Sequence, residues 1–207
     1  MIRNIIFDLG GVLLNLDMEK TRRAFIDLGM ENFDEHFTQA KQTGAFDLFD
    51  CGKISPADFR EELKKQLPKE VGDEAIDQAW NAMLLDLPME RLELLKRLSK
   101  KYRLFLLSNT NEIHVTAFSG YLKNTFGFSD FSDYFEKHYY SCRIGLRKPN
   151  ADIFEFVLRE NGLHADETVF IDDSSQHVIG AKACGIHAFL LPPHEDVIRL
   201  LERNGLN

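Results

Sequence analysis

Five short apolar runs punctuate the chain: Asn4 to Asp8, Arg103 to Leu107 leading into Ser108, His138 to Ser141, Thr168 to Asp172 and His187 to Leu191. Each is hydrophobic on both faces, as a strand must be when helices cover its sheet from both sides. Longer segments with helical spacing lie between them. Pro88 opens Met89 to Ser99, where Leu92, Leu95 and Leu98 recur. Asn150 is placed to cap Asp152 to Asn161, which Gly162 ends. Ser174 is placed to cap a helix running to Cys184, with Gly185 where a left-handed residue is wanted. This alternation predicts an α/β fold, a doubly wound parallel five-stranded Rossmann-like core.

From Asp17 to Asp86 the alternation stops. No convincing strand occurs there, only helical patterns at Met18 to Leu28, Ser55 to Gln66 and Asp73 to Leu85. The second has a well-marked start, with Ser55 as cap, Pro56 in the first turn and Asp58 near the positive end of the helix dipole. About seventy residues are far more than a crossover needs. The expected division is therefore an α/β core of residues 1–16 and 87–207, and an all-α cap, residues 17–86, inserted after strand one and packed over the carboxyl ends of the strands.

Composition narrows the function. Hydrophobic residues at 44% and charged residues at 28% describe an ordinary globular protein. The 33 acids outnumber 25 bases, for a net charge of -8, which argues against nucleic acid and anionic lipid as partners. No run approaches the ~18 apolar residues of a membrane span, and the N-terminus lacks signal-peptide anatomy. Cys51, Cys142 and Cys184 are too scattered for a disulfide framework or a zinc site. A cytoplasmic monomer or weak dimer is expected.

In a doubly wound sheet the ligand site lies beyond the carboxyl ends of the strands. The residues falling there are Asp8, the run Ser108, Asn109 and Thr110, and the pair Asp172 and Asp173, with Lys148 in the stretch before strand four. Two carboxylates ~4 Å apart repel by about 4 kcal/mol at an effective dielectric of ~20, so three together protonate or recruit a cation. Hard oxygen ligands without histidine or cysteine suit Mg²⁺. Such an ion with Lys148 would offset the three acids and let a phosphate enter. Ser108, with backbone N–H groups after it at a helix start, would bind phosphoryl oxygens, and a carboxylate facing phosphorus would be the nucleophile.

Four segments in order, Phe7 to Leu13, Ser108 to Thr110, Arg147 to Pro149 and Ile171 to Ser174, resemble the motifs of the haloacid dehalogenase-like (HAD) hydrolase superfamily. The position of the insert resembles its C1-capped branch. Cys51 to Ser55 and Arg143 to Pro149 look most like the part containing α-glucose-1-phosphatase and the phosphatase domain of soluble epoxide hydrolase. The resemblance implies that Asp8 attacks phosphorus and carries an aspartyl-phosphate. Asp8, the Gly10 carbonyl and Asp173 would hold Mg²⁺, with Asp172 ordering its waters from behind. Ser108 and Asn109 would bind the phosphoryl group, and Lys148 would balance charge on it and on Asp8. The implied substrate is a small phosphorylated metabolite, a sugar phosphate being the leading expectation.

One position departs from the pattern. Two residues after the nucleophile most phosphatases of the family carry a second Asp, a general acid and base, where this chain has Gly10. That help is typically worth 10²–10⁴-fold, so substrates with good leaving groups should fare best, with Asp17 or a cap residue as a conceivable stand-in. Gly10 also leaves open a metal-independent 2-haloacid dehalogenase and a catalytically weak phosphate- or partner-binding protein. His114 and His177 read as solvated or packing residues and Cys142 as inert. Phe46, Phe49 and Phe59 read as packing, with pocket lining as the alternative.

Overall fold

The computed structural model describes residues 1–37 and 44–206. Its sheet consists of β1 (Asn4–Phe7), β2 (Arg103–Ser108), β3 (Lys137–Tyr140), β4 (Thr168–Asp172) and β5 (His187–Leu190), all parallel, in the order β3-β2-β1-β4-β5. β1 is central, with Phe7 level with Leu106 on one side and Ile171 on the other. The order reverses between β1 and β4, which places the crevice beside Asp8 and the end of β4.

Alternate side chains of each strand enter opposite layers. Ile5, Phe7, Leu104, Leu106, Val169 and Ile171 meet α6 (Met89–Leu98), α7 (Glu112–Phe126) and α11 (Val197–Arg203). Ile6, Phe105, Leu107 and Phe170 meet α9 (Ala151–Asn161) and α10 (Ser175–Ala183). This two-sided burial explains why the runs are apolar throughout. The third run ends a residue earlier than expected. Ser141 opens α8 (Ser141–Ile144), a single turn closed by Gly145 at φ 71°.

Between β1 and α6 lie α1 (Met18–Leu28), α2 (Phe33–His36), α3 (Ala45–Asp50), α4 (Pro56–Lys64) and α5 (Asp73–Asn81). They share an apolar cluster of their own around Phe25, Phe46, Phe59 and Trp80, to which α7 contributes Ile113. Phe46, Phe49 and Phe59 are packing residues in it. Ser55 and Asp58 form a reciprocal capping box at the start of α4, a stronger device than the dipole contact expected of Asp58. The segments leading into and out of these helices run side by side. Asn15 N–H donates to the Asp86 carbonyl at 2.9 Å, Leu85 N–H to Asn15 at 3.0 Å and Asp17 N–H to Met83 at 2.9 Å. Among the described residues, no helix is long and apolar enough to cross a membrane.

Candidate active site

The loop after β1 turns tightly, with Leu13 and Leu14 N–H groups both donating to the Leu9 carbonyl and Gly11 N–H to that of Leu14. Asp8, 7% exposed, extends the ladder by donating its N–H to Ile171. Its carboxylate and those of Asp172 and Asp173 each offer an oxygen within 4.8 Å of the others. Gly11 makes this approach possible. Its φ is 73°, and a Cβ there would stand 2.2 Å from an Asp173 carboxylate oxygen.

Lys148 lies beneath this group, fully buried, with Nζ 2.8 Å from Asp8 Oδ1 and 2.6 Å from Asp172 Oδ2. Asn109 holds it there. The Asn109 amide donates to the Lys148 carbonyl at 2.9 Å and accepts from the Lys148 N–H at 3.0 Å. This pairing of the Asn109 side chain with the lysine loop spans 39 positions and is hidden in chain order. On the far side α10 presses against the same loop. A Cβ on Gly180 would stand 2.3 Å from the Pro149 carbonyl.

Asp172 is fully buried and saturated. Oδ1 accepts the Ser174 N–H at 2.8 Å, Oδ2 accepts from Lys148, and His177 Nδ1 lies 3.0 and 3.1 Å from the two oxygens. Because a carboxylate only accepts, this network assigns the ring proton to Nδ1. Ser174 therefore positions Asp172 through its N–H and does not cap α10 with its side chain.

The electrostatics separate the two carboxylates that Lys148 touches. Burial would push Asp172 up, but Lys148 and His177 outweigh it and hold the carboxyl below its usual range. Burial would likewise lower Lys148, yet Asp172 and Asp8 keep it above an ordinary lysine. Asp8 is pushed well above an ordinary aspartate by burial, and by Asp172 and Asp173, with Lys148 opposing only in part. Three carboxylates within joint reach, with oxygen as their donor atom, fit a hard divalent cation.

Asp8, Gly10, Asp173 and Ser108 line a cavity of about 260 Å³ that reaches Asp50 and Trp80 of the inserted helices. Ser108 is buried on its wall, but it does not stand at a helix start. The cap of α7 is Asn111, whose side chain accepts the His114 N–H at 3.1 Å. Ser141, at the end of β3, accepts the Thr110 N–H and donates to the Asp50 carbonyl at 2.6 Å, tying α3 to the loop after β2. Arg147 adds an ion pair to Asp47. A Cβ on Gly10 would stand 2.6 Å from Leu16 Cδ1, so a side chain there would require the end of Leu16 to shift. Asp17 caps α1, accepting the Glu19 N–H, and is not among the cavity-lining residues.

His114 is a packing residue as expected, though buried and not solvated. It stacks on Trp80 at 4.7 Å and 20°, its Nε2 3.1 Å from the Trp80 carbonyl and its Nδ1 3.3 Å from the Asn111 amide. Burial lowers it to about 4. The unfolded chain then binds a proton below about pH 6.5 that the folded chain refuses until about pH 4. Stability is full above pH 6.5 and falls as pH drops through that window, by roughly 3 kcal/mol. His114→Gln should flatten this part of a plot of urea midpoint against pH. Cys142, a free thiol, is pushed up to about 12 by burial and Glu112, so it stays protonated and unreactive.

These features define a hydrolase site on a Rossmann-like sheet, and the family model of haloacid dehalogenase-like hydrolases matches residues 2–185. The chain belongs to that family. D-ribitol-5-phosphate phosphatase of Bacteroides thetaiotaomicron is 33% identical to it over 189 residues, 91% of each chain. A HAD family enzyme of the same organism, solved with magnesium and inorganic phosphate, is 39% identical, with a TM-score of 0.85 over 97% of this chain and 99% of that one. A HAD-like family hydrolase of Porphyromonas gingivalis is 33% identical, with a TM-score of 0.89 over 100% and 99%.

Proposed function

We propose that the chain is a Mg²⁺-dependent phosphatase of a small phosphorylated metabolite, a sugar or polyol phosphate, acting through an aspartyl-phosphate on Asp8. The observation that carries this reading is Asp8 itself, buried in the cavity wall beside Lys148 and within 4.8 Å of carboxylate oxygens of Asp172 and Asp173. Asp8, Asp173 and the Gly10 carbonyl would hold the cation, which when bound supplies positive charge against the acids and the incoming phosphate. Asp172, engaged with Lys148, His177 and Ser174, is not a ligand in this scheme. The phosphatase relative and the magnesium and phosphate bound to the solved enzyme support the reading.

The Asp8 carboxylate attacks phosphorus as the ester P–O bond breaks. Lys148 steadies the Asp8 carboxylate in line, Ser108 donates its hydroxyl to a phosphoryl oxygen, and Asn109 adds a further N–H donor. Residues 17–86 act as the cap that selects the leaving group. The phosphatase relative, 33% identical over 91% of the chain, favours this reading over the dehalogenase alternative.

The test is phosphate release from a panel of esters, D-ribitol 5-phosphate and sugar phosphates beside aryl phosphates, with Mg²⁺ or with chelator. Turnover should require Mg²⁺; turnover unaffected by chelator, or none on any ester, would refute the assignment. Gly10 has no side chain with which to protonate the leaving group. Rates should fall roughly 10²–10⁴-fold from aryl to unactivated alkyl phosphates, and a flat dependence on leaving-group acidity would count against this.

A further inference from the structure

The proposed reaction needs a base for the water that releases phosphate from Asp8, and position 10 cannot supply one. Among the described residues, the titratable groups lining the cavity are Asp8, Asp50, Asp173, His114, Arg147 and His177. Asp8 is the nucleophile and Asp173 belongs to the cation group. Asp50 is tied to the Asn111 amide at 2.9 Å. Both ring nitrogens of His114 are engaged, Nε2 with the Trp80 carbonyl and Nδ1 with Asn111. Arg147 is a permanent cation paired with Asp47.

His177 differs. Its Nδ1 donates to the buried Asp172 carboxylate, which fixes both the ring and its tautomer, and its Nε2 has no hydrogen-bond partner among the described residues. In a neutral ring with the proton on Nδ1, Nε2 carries the lone pair. The ring forms part of the cavity wall with Asp8, Ser108 and Asp173, while Asp172, fully buried, lies behind it. Gly180, three residues on, keeps α10 pressed against Pro149 and so keeps His177 at the lysine loop. A base oriented by a buried carboxylate, on a ring that lines the cavity holding the reacting group, is the arrangement that activates a nucleophile.

We infer that His177 is the general base of the second half-reaction, an assignment that rests on the aspartyl-phosphate reading. A water attacks phosphorus where the ester oxygen has left, and Nε2 takes one of its protons as the new P–O bond forms. The bond from phosphorus to Asp8 breaks, and its electron pair returns to the carboxylate. The products are hydrogen phosphate and an imidazolium, which then gives its proton to solvent.

The test is rapid-quench kinetics on His177→Asn with an aryl phosphate and Mg²⁺, because an asparagine amide still donates to Asp172 while lacking Nε2. The expected result is a burst of phenol equal to the enzyme concentration, phosphate retained on Asp8, and steady turnover slowed roughly 10²–10⁴-fold. In His177→Ala, added imidazole should restore part of that turnover. Steady turnover within a few-fold of wild type would overturn the inference. So would burst and steady rate falling together with no phosphate retained, the signature of a residue that only holds Asp172 in place. A wild-type protein that releases phosphate from no ester would instead remove the phosphatase reading, and this assignment with it.

Discussion

Asp8→Asn is expected to lower phosphate release by on the order of 10⁴–10⁶-fold, since the attacking atom itself is replaced. The fold should survive. In cation-free protein the ionised Asp8 carboxylate is disfavoured, first by burial and then by Asp172 and Asp173. Its folded-state pKa lies above the unfolded value, so stability it lends at low pH is lost as pH rises. At neutral pH the amide variant should therefore melt no lower than wild type without Mg²⁺. Added Mg²⁺ should raise the wild-type midpoint more than the variant's, because one of the proposed ligands is gone. Thermal melts with and without the ion, beside the phosphate assay, check both halves. A variant that unfolds, or that still turns over, contradicts the role given to Asp8.

Lys148→Met should damage stability and activity together, and the two can be separated. Nζ is fully buried between two carboxylates, and removing one partner of a buried ion pair typically costs 3–5 kcal/mol because the remaining charge is left uncompensated. Activity should fall roughly 10²–10³-fold, the usual cost of losing a preorganised charge at the reacting centre. Adding Asp172→Asn to Lys148→Met removes one of the two stranded carboxylates, the more deeply buried one. The double variant should recover much of the urea midpoint while remaining as inactive as the single one. Recovery of both would mean that Lys148 serves only the fold.

The strands and the acids at their ends were legible because β1, β2 and β4 are buried on both faces, so each reads as an apolar run that stops abruptly at Asp8, Ser108 or Asp172. Lys148 was legible through its neighbours Gly145 and Pro149. What stayed hidden depends on pairings between distant segments. The bonds of the Asn109 amide to the Lys148 main chain join segments 39 positions apart. α3 spans six residues, too few for a helical period to show, yet it places Asp50 on the cavity wall. The Asn111 cap had a usable signal, an asparagine followed at once by Glu112 in the first turn. His177 had a weaker one, lying five positions after Asp172 in the first turn of α10, where a side chain can turn back toward the strand end.

Trp80 is the only tryptophan in the chain, and its ring stacks on His114 in the wall of the cavity that holds Asp8. All indole fluorescence of the folded protein therefore originates beside the place where a ligand would sit. Titrating an unlabelled phosphate analogue and following emission reads occupancy of that cavity directly, with no second chromophore elsewhere in the chain's indole band to subtract.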